Sequence, residues 1–164
     1  MEIPGQYKAF HDRLVLWCNY LLEFIAQECG EAKVGEALDY LVERIYRKRF
    51  EEWKSYSAEE ILGLLKLSHE GNYSEFRVED VGDRYEIIIE RCGSGGYILE
   101  ELGKNQSRLT SRSYPWSLGK EGFLYYCGHA ALFNNLFKEL GLPITIEIGE
   151  GQQHCPCKYI VAKR

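Results

Sequence analysis

The sequence predicts an α+β domain in which N-terminal helices precede an antiparallel sheet of about four strands. Two observations lead to this fold class. Apolar residues recur at three- and four-residue steps through the first half of the chain, and they alternate with polar residues in two pairs of segments in the second half. The 164 residues suit a single domain, with a helical part at 1–72 and a sheet-containing part at 73–164 that carries the expected site.

Three helices are expected in the first half. The first covers residues 6–28 and ends at Gly30, and the second covers 31–54. The third begins at Ser57, because Glu60 follows three residues later and completes a capping box. The first helix has one apolar face, which carries Phe10, Leu14, Cys18, Leu21, Leu22 and Ile25.

The second half contains two predicted hairpins with a helix between them. In the second strand, Tyr85, Ile87 and Ile89 share a buried face, whereas Glu86 and Glu90 lie on the polar face. The expected elements are strands at 76–79, 84–91, 144–148 and 158–162, and a helix at 128–140.

A long segment at 93–120 separates the first hairpin from that helix. It is too polar for a core and too aromatic for a mere linker, and long ordered loops are often functional. We expect Tyr114 and Trp116, with Tyr126 after the loop, to form a pocket wall that holds a ligand or cofactor. The segment also carries three cations that could receive an anionic ligand, although isolated loop cations are usually solvated. These cations are Arg108, Arg112 and Lys120.

Composition excludes several classes of protein. Hydrophobic content of 45% and charged content of 27% are ordinary for a globular domain. A net charge of −5 provides no basic excess to neutralise phosphates, so a general nucleic-acid role is not expected. We find neither a signal peptide nor an apolar run of the ~20 residues that a membrane helix needs, and we expect a cytoplasmic protein. In a reducing compartment, its 6 cysteines are not expected to form a disulfide framework.

The densest chemical signal is a group of soft-metal ligands near the end of the chain. Cys127 and His129 stand at the start of the predicted helix, and His154, Cys155 and Cys157 stand before the last strand. Thiolate and imidazole together favour zinc, with iron as the second choice. The preferred ligands are Cys127, His129, Cys155 and Cys157, with His154 and Cys92 in reserve.

The same residues also allow thiol chemistry without a metal. Cys127 stands near a helix N-terminus, which lowers a thiol pKa, and His129 could act as its base. Cys92 is a second candidate nucleophile, because the following Gly-Ser-Gly-Gly could offer backbone amides to an oxyanion. The alternative explanation of these glycines is a strand exit that needs unusual dihedral angles. The substrate of such a hydrolase or lyase would be a small carboxylated or sulfur-containing compound.

A third interpretation needs no chemistry. The cysteines are then buried small side chains, which is common for this residue type. The protein would be an interaction module that acts through its helices.

The C-terminal half resembles two related families: 4-vinyl-reductase-type small-molecule-binding domains and L-2-amino-thiazoline-4-carboxylic acid hydrolase-like proteins. The matching segments are Cys127 through Leu140, 143–148 and 157–161, and Cys127 and Cys157 are the matched cysteines. The resemblance implies an α+β ligand-binding fold, dimerisation through the N-terminal helices, and a pocket near the sheet edge where cysteines hold a metal or attack a substrate. The leading interpretation is therefore a metal- or small-molecule-binding domain.

Overall fold

The computed structural model describes residues 5–103, 106–149 and 156–163. Its architecture is α+β, with N-terminal helices before a four-stranded antiparallel sheet, as the sequence predicts. Within these residues no helix is both long enough and apolar enough to cross a membrane. The helices are α1 (Gln6–Cys29), α2 (Glu31–Leu41), α3 (Arg47–Glu52), α4 (Ala58–Gly71), α5 (Gly95–Leu102) and α6 (Gly128–Leu140).

The helical part follows the predicted pattern closely. A π-helical turn, Val42–Tyr46, joins α2 to α3, so the two form one continuous helix. At the start of α4, Glu60 N donates to Ser57 Oγ at 3.2 Å and Ser57 N donates to Glu60 Oε2 at 2.7 Å, which is the predicted capping box. Gly30 ends α1 with a φ of 86°, a conformation that glycine adopts without strain.

The sheet combines the two predicted hairpins. The strand order is β1-β2-β4-β3, so β2 and β4 are central and all neighbours are antiparallel. Asn134 of α6 anchors an edge strand, because its side chain accepts from Ile146 N and donates to Ile146 O, both at 2.7 Å. The strands are β1 (Glu75–Asp80), β2 (Arg84–Arg91), β3 (Ile144–Glu147) and β4 (Cys157–Ala162).

The main core lies between one face of the sheet and the helices α4 and α6. Ile87, Ile89 and Val161 of the central strands are almost fully buried, and they pack with Ile61 of α4 and Phe137 of α6. This confirms the buried face predicted for the second strand.

The opposite face of β2 is less polar than expected. Glu86 is buried instead of solvent-facing, and it accepts hydrogen bonds from Arg84 Nε at 2.8 Å and Lys158 Nζ at 3.3 Å. Ile88 on the same face is also buried, between its cross-strand neighbours Arg77 and Lys158. A central strand has long side chains on both sides, and their aliphatic stems cover its outer face.

Helix α1 is apolar on two sides. The side that faces the domain carries Val15, Asn19, Leu22 and Glu23. Most of the apolar face predicted from the sequence points outward instead. Its Phe10, Leu14 and Leu21 lie beside three further exposed aromatic residues. Together they form what we call the outer stripe, six side chains that are 46–66% exposed: Tyr7, Phe10, Leu14, Trp17, Leu21 and Phe24.

The loop between α5 and α6 is tied to α1 by a buried ion pair. Arg108 Nε donates to Glu23 Oε1 at 2.6 Å, and Arg108 Nη1 donates to the carbonyl oxygens of Leu102 and Gly103 at 2.9 and 3.2 Å. Arg108 is only 6% exposed. The expectation that this cation is solvated or receives an anionic ligand is therefore wrong, because a carboxylate of the first helix already pairs with it.

Candidate ligand pocket

A cavity of about 630 Å³ opens between the helices, and its lining includes His129 of the predicted site but not Cys92, Cys127 or Cys157. Its walls come from α1, α2, the π turn, α3, α4 and α6, with Tyr159 of β4 at the sheet side. The mouth is surrounded by exposed apolar side chains, among them Leu21, Tyr40 and Ile45. The inner wall is formed by Leu38, Val42, Phe50, Trp53, Phe133 and Phe137.

The π turn brings the long helix into register with this cavity. Leu38, Val42, Tyr46 and Phe50 all line it, at four-residue steps. In a regular α-helix each such step advances about 400°, so these side chains would turn away from the cavity by about 40° per step. A π turn closes hydrogen bonds over five residues instead of four and removes part of this drift. The four side chains therefore remain on one wall.

Polar groups gather at one end of the cavity, near the end of α4. Ser68, His69 and Asn72 lie there, and Ser94 and Tyr126 complete the group. A side-chain hydrogen bond joins Ser94 and Tyr126, and burial raises the pKa of the Tyr126 hydroxyl. We call these five residues the polar end of the pocket.

His69 is the most buried member of the polar end. It is 7% exposed, and its ring lies edge-on to Tyr159 with centroids 4.5 Å apart. Burial lowers the pKa of His69 to about 4, so the imidazole is neutral at pH 7. Its Nε2 atom is buried and has no hydrogen-bond partner in the described part of the chain.

His129 also lines the pocket. Its Nδ1 donates to the carbonyl oxygen of Tyr126 at 2.6 Å, which leaves the lone pair on Nε2. Burial lowers the pKa of His129, so this imidazole is neutral as well. Because Nδ1 is engaged, this nitrogen cannot act as a base for Cys127.

Three of the predicted thiols, those of Cys92, Cys127 and Cys157, lie near Tyr159, which lines the cavity. The pKa of Tyr159 is raised mainly by burial and also by the nearby thiols of Cys92, Cys157 and Cys127. Cys127 is buried in a separate cluster with Val15 and Ile98, whereas Cys92 and Cys157 pack on the main core.

The expected metal centre is not assembled by the described part of the chain. There, no group of three or more Cys, His, Asp or Glu side chains is placed to hold a metal ion. His154 and Cys155 lie outside the described residues. A zinc or iron site that uses these two residues with Cys127, His129 and Cys157 stays a prediction, as does thiol catalysis by Cys92 or Cys127.

The glycines after Cys92 allow neighbouring chain segments to pack closely. Gly93, Gly95 and Gly96 have no positive φ, so a left-handed conformation is not what requires glycine at these positions. A Cβ atom at Gly95 would lie 2.5 Å from Cys127 Sγ, and one at Gly96 would lie 3.0 Å from Cys92 Cβ. The amide of Gly93 already donates to Ser74 Oγ at 3.1 Å, so it is not offered to an oxyanion.

The predicted aromatic wall divides into two parts. Tyr126 lines the pocket, whereas Tyr114 and Trp116 do not; their rings stack with centroids 5.2 Å apart, in a cluster against which Tyr126 also packs. Trp116 fills the space beside Gly35 and Gly128, where a Cβ atom would lie within 3.0 Å of its ring. Its role in the structure is therefore to hold α2 against α6.

Several pocket residues were missed in the sequence. Phe133 and Phe137 are buried residues of α6 that the apolar repeat of the predicted helix did not include, and His69 stands in the last turn of α4, where a histidine is common. The four-residue repeat of Leu38, Val42 and Tyr46 fits a helix face, so it does not by itself indicate a cavity.

Comparison of the chain with protein-family models, curated proteins and solved structures finds no match. The resemblance of the C-terminal half to small-molecule-binding domains therefore remains an expectation from the sequence. A functional assignment for this chain depends on its fold and its pocket.

Proposed function

We propose that this protein binds a small apolar molecule in the helix-lined pocket. The observation that carries this proposal is the cavity of about 630 Å³ with aliphatic and aromatic walls. Protein interiors are normally close-packed, and ligand sites are typically apolar cavities of about 300–1,000 Å³ with a few polar groups. The pocket has this size and this composition.

The charges around the cavity favour a ligand with a neutral body. Among the described residues that line it, Arg49 carries the only permanent charge, and this exposed side chain lies over the Trp53 ring at 5.8 Å. The two histidines in the lining are neutral because they are buried. A charged group inside the pocket would lose its hydration without a partner of opposite charge.

Filling the pocket should abolish binding without unfolding the protein. Ala37 of α2 lines the cavity, whereas Ala32 of the same helix is exposed and does not. We expect Ala37→Trp to weaken binding of the neutral dye Nile red by about tenfold or more, and Ala32→Trp to leave it unchanged. Fluorescence titration measures both, with circular dichroism to check folding.

Two outcomes would contradict the proposal. One is the absence of saturable dye binding to the unaltered protein. The other is an equal loss of binding in both tryptophan variants, which would show that the dye binds outside the pocket.

A second candidate function, self-association through the helices, is favoured by the outer stripe of α1. Its members follow one another at steps of three and four residues, the spacing of a coiled-coil seam. We propose that a second copy of the chain covers it. The stripe is about 26 Å long at 1.5 Å per residue, and it ends beside the pocket mouth, because Leu21 belongs to both.

The exposed area fits a dimer. Four of the six side chains are aromatic, and each such side chain can bury about 150–250 Å². At 46–66% exposure, the stripe offers several hundred Å² of apolar surface, and Tyr20, Tyr40 and Ile45 beside it are exposed as well. A stable interface needs about 800 Å² from each partner, so the extended surface is sufficient.

A charge in the stripe should separate the copies. Trp17 is 66% exposed on the stripe, and Leu67 is 65% exposed on α4, away from it. We expect the unaltered chain and Leu67→Glu to sediment as dimers at micromolar concentration, and Trp17→Glu to sediment as a monomer, because the partner would bury an unpaired carboxylate. A monomeric unaltered chain, or equal dissociation of both variants, would refute self-association through this stripe.

A further inference from the structure

We propose that the pocket selects apolar molecules that carry one neutral hydrogen-bonding group, such as a hydroxyl, which pairs with Nε2 of His69. This inference rests on the proposed ligand-binding function and adds the chemical class of the ligand. It depends on the polar end of the pocket and not on the size of the cavity.

The first observation is the unpaired nitrogen. His69 is 7% exposed and lines the pocket, and its Nε2 is buried without a hydrogen-bond partner among the residues that the structure describes. Buried side-chain polar atoms in native proteins are nearly always paired, so an exception at a cavity wall calls for an explanation. A ligand group in the pocket would provide it.

The ring is held in place for this contact. It lies between two aromatic rings, with centroid distances of 4.5 Å to Tyr159 and 5.8 Å to Phe76. A fixed ring can place a hydrogen bond without losing conformational freedom when a ligand arrives, and this favours affinity. His69 is therefore suited to orient a ligand.

The surrounding groups favour a neutral partner over an ionised one. Burial keeps His69 neutral at pH 7, so the ring can accept or donate a hydrogen bond but offers no charge. The other members of the polar end are Ser68, Asn72, Ser94 and Tyr126, and none is charged. Arg49 is exposed on α3 and is not a member of the polar end. A carboxylate beside His69 would be buried without a cation.

The polar groups occupy only part of the wall. Ser68 and Asn72 are four residues apart on α4 and share a face next to His69. Leu38, Val42 and Phe50 of the long helix form an apolar wall. A molecule with an apolar body and one hydroxyl matches both parts of this lining.

Three probes of similar size test the inference: 4-butylphenol, butylbenzene and 4-butylbenzoate, each measured by displacement of Nile red at pH 7. We expect the phenol to bind about tenfold tighter than butylbenzene, and the benzoate to bind no tighter than butylbenzene. In His69→Phe the advantage of the phenol should fall below about twofold, while butylbenzene still binds. His11→Phe is the matched control, because His11 contacts Tyr73 and does not line the pocket.

A spectroscopic readout on the unaltered protein makes the test independent of how the variant folds. The ¹⁵N resonance of His69 Nε2 should shift on addition of 4-butylphenol and stay nearly unchanged with butylbenzene, since only the phenol forms the hydrogen bond.

Failure of the inference differs from failure of the proposed function. If neither the dye nor any probe binds, the pocket is not a ligand site. If butylbenzene binds as tightly as the phenol, or if the advantage of the phenol survives in His69→Phe, the pocket binds ligands but His69 does not select them.

Discussion

Replacing Gly93 with alanine should destabilise the protein by about 3 kcal/mol. The new Cβ atom would lie 2.8 Å from the carbonyl carbon of Tyr73 and well inside contact distance of the Asn72 carbonyl oxygen. These are backbone atoms of the turn after α4, where Tyr73 already has a φ of 54°. Side chains can move aside from such a contact, but this turn is held between α4 and β1, so the clash must be relieved by a shift of the backbone.

The matched control is Gly63→Ala. Gly63 lies inside α4, its Cβ would meet no atom within 4 Å, and alanine is the better helix former by about 1 kcal/mol. Urea unfolding of both variants measures the difference as a shift of the midpoint at constant slope. This prediction is contradicted if Gly93→Ala and the unaltered protein unfold at the same midpoint, because the backbone of the turn would then have shifted at no cost in stability.

Replacing Arg108 with leucine should cost about 3–5 kcal/mol, because it leaves the Glu23 carboxylate buried without its cation. Glu23 is 7% exposed. Ser107 Oγ, which donates to the same carboxylate at 3.0 Å, brings no positive charge. The effect should extend to the loop as a whole, since Arg108 also binds the carbonyl oxygens at the end of α5.

Two further variants separate the buried charge from the lost side chain. Arg112→Leu removes an exposed cation of the same loop, which donates to Tyr114 Oη, and should change stability by less than about 0.5 kcal/mol. The double variant Glu23→Leu with Arg108→Leu should be more stable than Arg108→Leu alone, because no unpaired charge remains. Equal stability of Arg108→Leu and Arg112→Leu in thermal unfolding would contradict this account.

Local signals in the sequence predicted the elements well. Helix α6 begins and ends where predicted, because its apolar repeat is followed by Gly141 and Pro143. The capping box at Ser57 located the start of α4. These local signals do not show which side of a helix faces the core. Helix α1 has apolar residues on two sides, and periodicity alone does not distinguish its core face from the outer stripe.

The pocket was harder to predict than the fold. Its wall needs α1, α2, α4 and α6 at their relative positions, and no local pattern encodes these. The sequence predicted a site at the cysteines because thiols are rare and reactive, yet the structure places Cys127 in a packed cluster. The unpaired Nε2 of His69 is visible only in three dimensions, since the partners of a buried atom come from distant parts of the chain.

The π turn makes the cavity sensitive to the number of residues in the chain as well as to their chemistry. Each residue of an α-helix adds about 100° of rotation. A π turn accommodates one residue more than the corresponding α-helical turn. Inserting a further residue into Val42–Tyr46 would therefore rotate Phe50 and Trp53 by about 100° away from the cavity wall. We expect exposed positions such as Arg44 to accept substitution there, but the gain of one codon would remove the pocket while leaving every side chain that forms it in the sequence.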